Sequence, residues 1–190
     1  MEANFALMPR FADESGDSAI GPARAFSCDD LPVPHRGTCY ARRVMDSRAT
    51  PTKNAHNLCS PLNGPTRTTC FEAVGFGIRD RPIREDPTLT RDANAQGCRA
   101  QDERGDRDDC LHGVGLKLGY FGVSMRTSVE ACRSLDAAED ERSCAFGVGR
   151  GTAMFRDEND AASVCGSMPH DLRQACGAGV ALSDEAPGLD

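Results

Sequence analysis

The sequence predicts an all-α protein, an α-solenoid with a right-handed superhelix made of about five helical hairpins, each closed by a disulfide. The first observation is that the ten cysteines fall into five pairs, each of which encloses ten or eleven residues. The second is that a new pair begins 31 to 39 residues after the previous one, a period typical of helical repeats. The predicted disulfides join Cys28 with Cys39, Cys59 with Cys70, Cys98 with Cys110, Cys132 with Cys144, and Cys165 with Cys176.

Other positions recur in register with the cysteines and define the repeated unit. An apolar residue stands three positions after the first cysteine in four units, and an arginine stands two or three positions before the second cysteine in all five. The first unit has Arg42, Arg43 and Val44 after its second cysteine, as expected for a terminal repeat with a neighbour on one side only. The other four carry a small residue, a valine and a small residue there: Ala73-Val74-Gly75, Gly113-Val114-Gly115, Gly147-Val148-Gly149 and Gly179-Val180-Ala181.

Each unit is expected to contain two helices joined by a polar connector. Apolar and small residues recur at intervals of three and four ahead of the first cysteine, which predicts helices over 91–100, 128–135 and 157–168. Ser128 and Asp157 are suited to cap two of these helices. Prolines, an Asn-Gly pair and the charged run 102–109 predict connectors. The second helix then begins near the arginine and passes through the second cysteine.

A short connector makes the two helices of a unit antiparallel, and this brings its cysteines within the Cα separation of a disulfide. Closing a loop of this length stabilises the folded chain by about 3 kcal/mol in the chain-entropy model. The whole chain is only 39% hydrophobic and has no tryptophan, so its core is expected to be thin, and five such bonds would compensate for that.

Glycines are concentrated in the second helices, although a glycine inside a helix costs about 0.5–1 kcal/mol relative to alanine. Gly113, Gly115 and Gly119 follow one second cysteine, and Gly147 and Gly149 follow another. We expect helices rather than turns here, with the glycines allowing a neighbouring helix to approach the backbone closely. The sequence therefore predicts tight helix stacking through these segments.

The chain divides into three predicted parts. Residues 1–25 carry Phe5, Leu7, Met8 and Phe11 at helix-like spacing, and we expect them to cap the array or to dock onto a partner. Residues 26–182 form the five-unit array. Residues 183–190 are expected to form a flexible acidic tail.

Charge and cysteine content restrict the classes of partner. A formal net charge of −7 argues against nucleic acid and against an anionic membrane surface. No apolar stretch is long enough for a membrane span. Regular cysteine pairing indicates an oxidising compartment, so we expect a periplasmic or secreted protein, although residues 1–10 lack the features of a signal peptide.

The sequence contains only partial matches to known catalytic and metal-binding patterns. The stretch His112-Gly113-Val114-Gly115-Leu116-Lys117 lacks the spacing of a phosphate-binding loop, so structural packing is preferred. The cysteines lack zinc and haem spacings, and Cu(I) binding by thiols stays open as an alternative. The acidic clusters over 102–109 and 157–160 do not match a calcium loop and are expected to be solvated. His35, His56, His112 and His170 are expected to have surface or capping roles.

The disulfide-closed hairpins that repeat every thirty-odd residues resemble the cysteine-rich members of the Sel1-like branch of the tetratricopeptide superfamily. The resemblance spans 28–181, and Leu118-Gly119-Tyr120 partly matches the Leu-Gly-x-x-Tyr core signature. It implies an α-solenoid, often exported, that binds other proteins along a concave face.

We therefore expect a non-enzymatic protein-binding or structural scaffold, acting as an extracytoplasmic accessory subunit that contacts other protein subunits and has no cofactor. The alternative is a thiol-based copper-binding or redox protein.

Overall fold

The computed structural model describes residues 27–46, 57–77, 96–121, 125–133 and 135–184, and all regular elements in these ranges are helical. A 3-10 turn spans Cys28–Asp30, and short helical stretches cover 57–59 and 96–99. The α-helices are α1 (Val33–Asp46), α2 (Gly64–Gly77), α3 (Arg104–Tyr120), α4 (Met125–Arg133), α5 (Ala138–Phe155), α6 (Glu158–Gly166) and α7 (His170–Asp184). The prediction of an all-helical protein is confirmed for these residues.

Long helices and short elements alternate along the chain. Each first cysteine lies in a short element and each second cysteine in one of the long helices α1, α2, α3, α5 and α7. The long helices contact one another in that order, each packing on the next, while α4 and α6 pack against α5 and α6 also packs on α7. The fold is therefore organised around one row of long helices.

Backbone contacts between α3 and α5 show that these two helices run in the same direction. Gly115 lies against the Cys144 carbonyl and the Val148 amide. One turn later on α3, Gly119 lies against the Val148 carbonyl and the Thr152 amide, so the contacts advance together along both helices. The carboxyl ends of α3 and α5 consequently lie at the same edge of the row.

The same glycine contact occurs at three successive helix interfaces. The glycine five residues after a second cysteine lies against the carbonyl of the next second cysteine. A Cβ added at any of these glycines would lie under 3.0 Å from backbone atoms of the neighbouring helix. The three contacts are Gly75 with Cys110, Gly115 with Cys144, and Gly149 with Cys176.

A second set of glycines closes each interface from the opposite helix. Gly113 lies against the Glu72 carbonyl, Gly147 against that of His112, and Gly179 against that of Phe146. In each case the glycine stands three residues after its cysteine and meets the residue two after the preceding second cysteine. The predicted close helix approach is confirmed, and the glycine-rich segments are helical.

The core consists mainly of cysteines, alanines and valines. Nine of the ten cysteines are buried, and Cys39 is half-buried. The valines between the small residues, Val74, Val114 and Val148, are buried as well. The larger apolar side chains that are fully buried are few: Phe71, Leu111, Met168 and Leu172. Small residues dominate because the helix backbones approach so closely.

One predicted cap is present and the other is not. Asp157 caps α6, because its side chain accepts a hydrogen bond of 2.7 Å from the amide of Asp160. Ser128 does not cap a helix, since α4 already begins at Met125 and Ser128 lies inside it and is buried. The small Ser128 side chain fits the buried face that it shares with Val129 and Cys132, and this packing outweighs its preference for a cap.

The two ends of the chain lie largely outside the described residues. The predicted capping segment 1–25 falls entirely outside them, as do residues 185–190. α7 extends to Asp184, and the Ser183 hydroxyl donates a hydrogen bond to the Val180 carbonyl at 2.6 Å. Ser183 and Asp184 therefore belong to a helix rather than to the predicted tail. None of the described helices combines the length and the apolar character needed to cross a bilayer.

Candidate functional site

The cysteines form disulfides within each unit. The bonds join Cys28–Cys39, Cys59–Cys70, Cys98–Cys110, Cys132–Cys144 and Cys165–Cys176, which are the pairs that the spacing predicts. Their Cα separations run from 5.4 Å to 5.7 Å, inside the range that a disulfide requires. All ten cysteines are used, so in this oxidised state no thiol is left to bind Cu(I).

An ion pair joins the amino-terminal parts of α2 and α3. The guanidinium of Arg67 donates two parallel hydrogen bonds to the Asp106 carboxylate, at 2.7 Å and 2.8 Å, and a third to the Ser60 carbonyl. Asp106 is only 4% exposed. This two-bond geometry is the strong form of an arginine–carboxylate pair, and it links two successive disulfide-closed hairpins.

A related ion pair lies one interface further along, around Asp140 on α5. Asp140 is 3% exposed, and the guanidinium groups of Arg99 and Arg107 each approach its carboxylate at 3.7 Å. The prediction that the acidic cluster over 102–109 is a solvated connector is correct for Asp102 and Glu103, which are exposed ahead of α3, and wrong for Asp106, which is buried in the first turn of α3. Arg67 of the preceding hairpin pairs with the Asp106 carboxylate, and this pairing offsets part of the cost of burying its charge.

Four ionisable side chains form a second group, which we call the buried polar cluster: Glu72, Asp109, His112 and Arg150. Glu72 on α2 forms an ion pair with Arg150 on α5. His112 lies on α3, where its ring centroid is 4.4 Å from that of Phe146 and its Nδ1 is 3.9 Å from the Asp109 carboxylate. Three helices thus contribute to one group of charges.

Burial dominates the protonation equilibria in the buried polar cluster. It raises the pKa of Glu72, although the charge of Arg150 acts in the opposite direction. It also raises the pKa of Asp109, despite a hydrogen bond from Thr68. Burial lowers the pKa of His112 from 6.5 to about 4, so the imidazole is neutral at pH 7. Such shifts accompany functional sites and also structural ion-pair networks.

The prediction of a surface or capping role for His112 is wrong, because its side chain is largely buried between helices. His35 and His170 are exposed, and His56 lies outside the described residues. The sequence feature that indicates the burial of His112 is its position in the repeated unit. Glu72, His112 and Phe146 each stand two residues after a second cysteine, which is the position whose carbonyl receives a glycine of the next helix.

Aromatic side chains gather at the carboxyl ends of the long helices. We call this group the aromatic edge: Phe76, Tyr120, Phe121 and Phe155. The Tyr120 ring centroid lies 5.9 Å, 4.9 Å and 4.6 Å from those of Phe76, Phe121 and Phe155 respectively. Four of the chain's ten phenylalanines and tyrosines therefore meet in one place. Tyr120, at their centre, is 45% exposed.

Lys117 lies beneath the aromatic edge and is 1% exposed. Its Nζ is 5.9 Å from the ring centroid of Phe76 and 6.0 Å from that of Phe121, within the range of a cation–π interaction. The backbone of α2 fills the space beside Gly113, and the backbone of α5 fills the space beside Gly115. The expectation that this glycine-rich stretch serves packing agrees with these contacts.

Comparison of the chain with protein-family models, with curated proteins and with solved structures finds no match. The likeness to Sel1-like proteins therefore remains one of layout. In the described ranges, no group of three or more histidine, cysteine or acidic side chains is arranged to hold a metal ion.

Proposed function

We propose that this protein is a rigid, non-enzymatic scaffold that binds other proteins in an extracytoplasmic compartment, as an accessory or structural subunit of a larger assembly. The observation that carries the proposal is the glycine-to-carbonyl contact that recurs at α2/α3, α3/α5 and α5/α7. A contact repeated in the same register builds an extended array rather than a closed catalytic pocket.

The proposed architecture is an α-solenoid with a right-handed superhelix. The row of long helices supplies one layer, and the short helices α4 and α6 contribute to the other. The Glu72–Arg150 ion pair supports curvature, because it connects two helices that are separated by α3 in the row. A curved row presents a continuous concave surface, which is how helical-repeat proteins bind their partners.

Rigidity supports a binding role. Disulfides close every hairpin, ion pairs connect hairpins, and glycines leave little space between backbones. A surface that is already ordered loses less conformational entropy on binding, so more of the contact energy appears as affinity.

Oxidised cysteines support the proposed location. Five disulfides that hold a thin core persist in the periplasm or outside the cell, whereas cytosolic reductants would act against them. The alternative, a thiol-based copper or redox protein, would require these bonds to be reduced first.

Two measurements on protein purified from its native cells test the proposal. Peptide mapping without reductant should recover five disulfides within hairpins, and affinity purification under native conditions should recover a stoichiometric partner protein. Ten free thiols with bound copper would contradict the scaffold proposal and support the metal-binding alternative. A protein that is monomeric and without a partner in native extracts would also contradict the scaffold.

A further inference from the structure

We propose that the aromatic edge is a docking surface for an arginine side chain of a partner protein, with the guanidinium stacked on Tyr120. The inference rests on the proposed scaffold function and specifies one surface of it and the chemistry of the segment that binds there.

Exposure and ring content favour a docking role for this surface. Large apolar side chains that are well exposed are few in the described residues, and they are Val33, Tyr120 and Leu182. Of these, Tyr120 packs its ring against three other aromatic rings, which hold its orientation. A rigid, partly exposed tyrosine flanked by aromatic rings is typical of the residues that dominate protein interfaces.

The helix ends make the electrostatic environment of the aromatic edge negative. α2 ends at Gly77, α3 at Tyr120 and α5 at Phe155, and the contacts between Phe76, Tyr120 and Phe155 bring the three ends together. Each carboxyl end carries roughly half a negative charge, and its last carbonyls lack N–H donors within the helix. Among the described residues, Lys117 and Arg156 bring positive charge to these ends, and Arg156 is paired with Asp160 at 3.0 Å. Three helix ends outweigh the remaining charge of Lys117, and the chain as a whole carries −7.

The protein already pairs cations with aromatic rings. Lys117 lies over Phe76 and Phe121 from the interior side, and the Arg67 guanidinium lies 5.7 Å from the Phe71 ring centroid. An arginine arriving from solvent would repeat this interaction on the exposed ring of Tyr120. Arginine fits better than lysine, because its planar group stacks on a ring and its five N–H donors can reach the carbonyls of the helix ends.

Charge complementarity selects this occupant over others. An acidic or phosphorylated segment would meet the negative helix ends and the negative net charge of the protein. A neutral apolar segment would use the rings but would leave the carbonyls without donors. An arginine satisfies both features of the surface.

The test measures binding of a fluorescein-labelled octa-arginine peptide to the disulfide-intact full chain by fluorescence anisotropy. Octa-lysine and a neutral leucine–glycine octapeptide serve as comparison probes. The variant is Tyr120→Ala, and the matched control is Val33→Ala, which removes an exposed apolar side chain from the first turn of α1, outside the aromatic edge. Circular dichroism melting verifies that both variants are folded.

We expect Tyr120→Ala to weaken octa-arginine binding about threefold or more, Val33→Ala to leave it unchanged, and octa-lysine to bind more weakly than octa-arginine. Equal binding of octa-arginine by wild type and Tyr120→Ala would overturn the proposal, since only diffuse charge attraction would remain. Tighter binding of the neutral peptide would overturn it in favour of an apolar occupant.

The failure of this proposal can be told apart from failure of the scaffold function. A native partner that remains bound to Tyr120→Ala keeps the scaffold and discards the aromatic edge as its docking surface. Tyr120-dependent octa-arginine binding by a chain that has no native partner keeps the arginine site and discards the scaffold.

Discussion

The carboxylate of Glu72 accepts a hydrogen bond from the guanidinium of Arg150, 78 residues further along the chain. The two residues lie on α2 and α5, which flank α3 in the row of long helices. Both side chains are mostly buried, at 15% and 16% exposure. The pair thus ties together two helices that do not follow one another in the row.

Removing one partner of this pair should be costly, because the other charge stays in a poorly hydrated place. We expect Glu72→Ala to lower the free energy of unfolding by about 3 kcal/mol, as measured by urea denaturation at pH 7. The double variant Glu72→Leu with Arg150→Met should recover most of that loss. If the double variant is as unstable as Glu72→Ala, the loss does not come from leaving the buried charge of Arg150 unpaired, and the ion pair itself stabilises the fold.

The lowered pKa of His112 should make stability depend on pH in a defined direction. Its pKa is about 4 in the folded chain and 6.5 when exposed, so between these values the unfolded state binds a proton that the folded state does not. His112 therefore lowers the free energy of unfolding as the pH falls from 6.5 to 4, by up to about 3 kcal/mol.

We expect His112→Gln to remove this loss, so that the difference between variant and wild type changes across that pH range in urea titrations. The raised pKa values of Glu72 and Asp109 act in the opposite sense, since they favour the folded state at low pH and this contribution declines as pH rises. The comparison is therefore made at each pH against wild type. His170→Gln, at an exposed position, is the matched histidine-to-glutamine substitution for comparison.

Two glycines of α3 give a matched test of backbone packing. Gly115→Ala places a Cβ against the Cys144 carbonyl, and we expect a loss of about 1–3 kcal/mol in unfolding free energy. Gly105→Ala has open space around its Cβ, and we expect a gain of about 0.5–1 kcal/mol from helix propensity. Chemical denaturation measures both. Equal effects at the two positions would mean that α3 and α5 do not approach as closely as described.

Arg67 and Arg104 are expected to differ strongly in their contributions. Arg67 pairs with the buried Asp106, so Arg67→Ala should cost about 3 kcal/mol in thermal or urea unfolding. Arg104 pairs with Asp108 at the surface, so Arg104→Ala should cost less than about 1 kcal/mol. Arg67→Lys should recover little, because an ammonium group cannot make two parallel bonds to the carboxylate.

Replacing both cysteines of one pair by serine tests the contribution of the disulfides. Loss of Cys98–Cys110 should lower the free energy of unfolding by about 3 kcal/mol, and loss of Cys28–Cys39 should cost a similar amount, since the closed loops differ by one residue. Differential scanning calorimetry of the oxidised proteins compares them. A much larger cost at the central pair would indicate that packing between helices depends on that bond.

The helical class and the disulfide pairs could be predicted from the sequence, because they depend on features within one unit. A pair of cysteines eleven or twelve residues apart across a connector restricts the local geometry regardless of the neighbours. The glycines after Cys110 and Cys144 also indicated close helix approach, since a costly residue inside a helix needs a compensating contact.

The polar and aromatic clusters could not be predicted in this way, because they depend on how one unit meets the next. The sequence alone predicts a solvated Asp106, because its partner Arg67 belongs to the preceding hairpin. Phe76, Tyr120 and Phe155 stand at different distances from their cysteines. They meet only because the helices have different lengths and end at the same edge.

The close backbone contacts between the long helices also determine how the molecule should unfold locally. Where helices touch through glycine, no layer of side chains can rearrange to absorb a shift, so each interface is either closed or open. Within the described residues, α2, α3 and α5 each pack between two long helices, whereas α1 and α7 each pack on one. Amide hydrogens should therefore exchange with solvent fastest in α1 and α7 and slowest in the three inner helices.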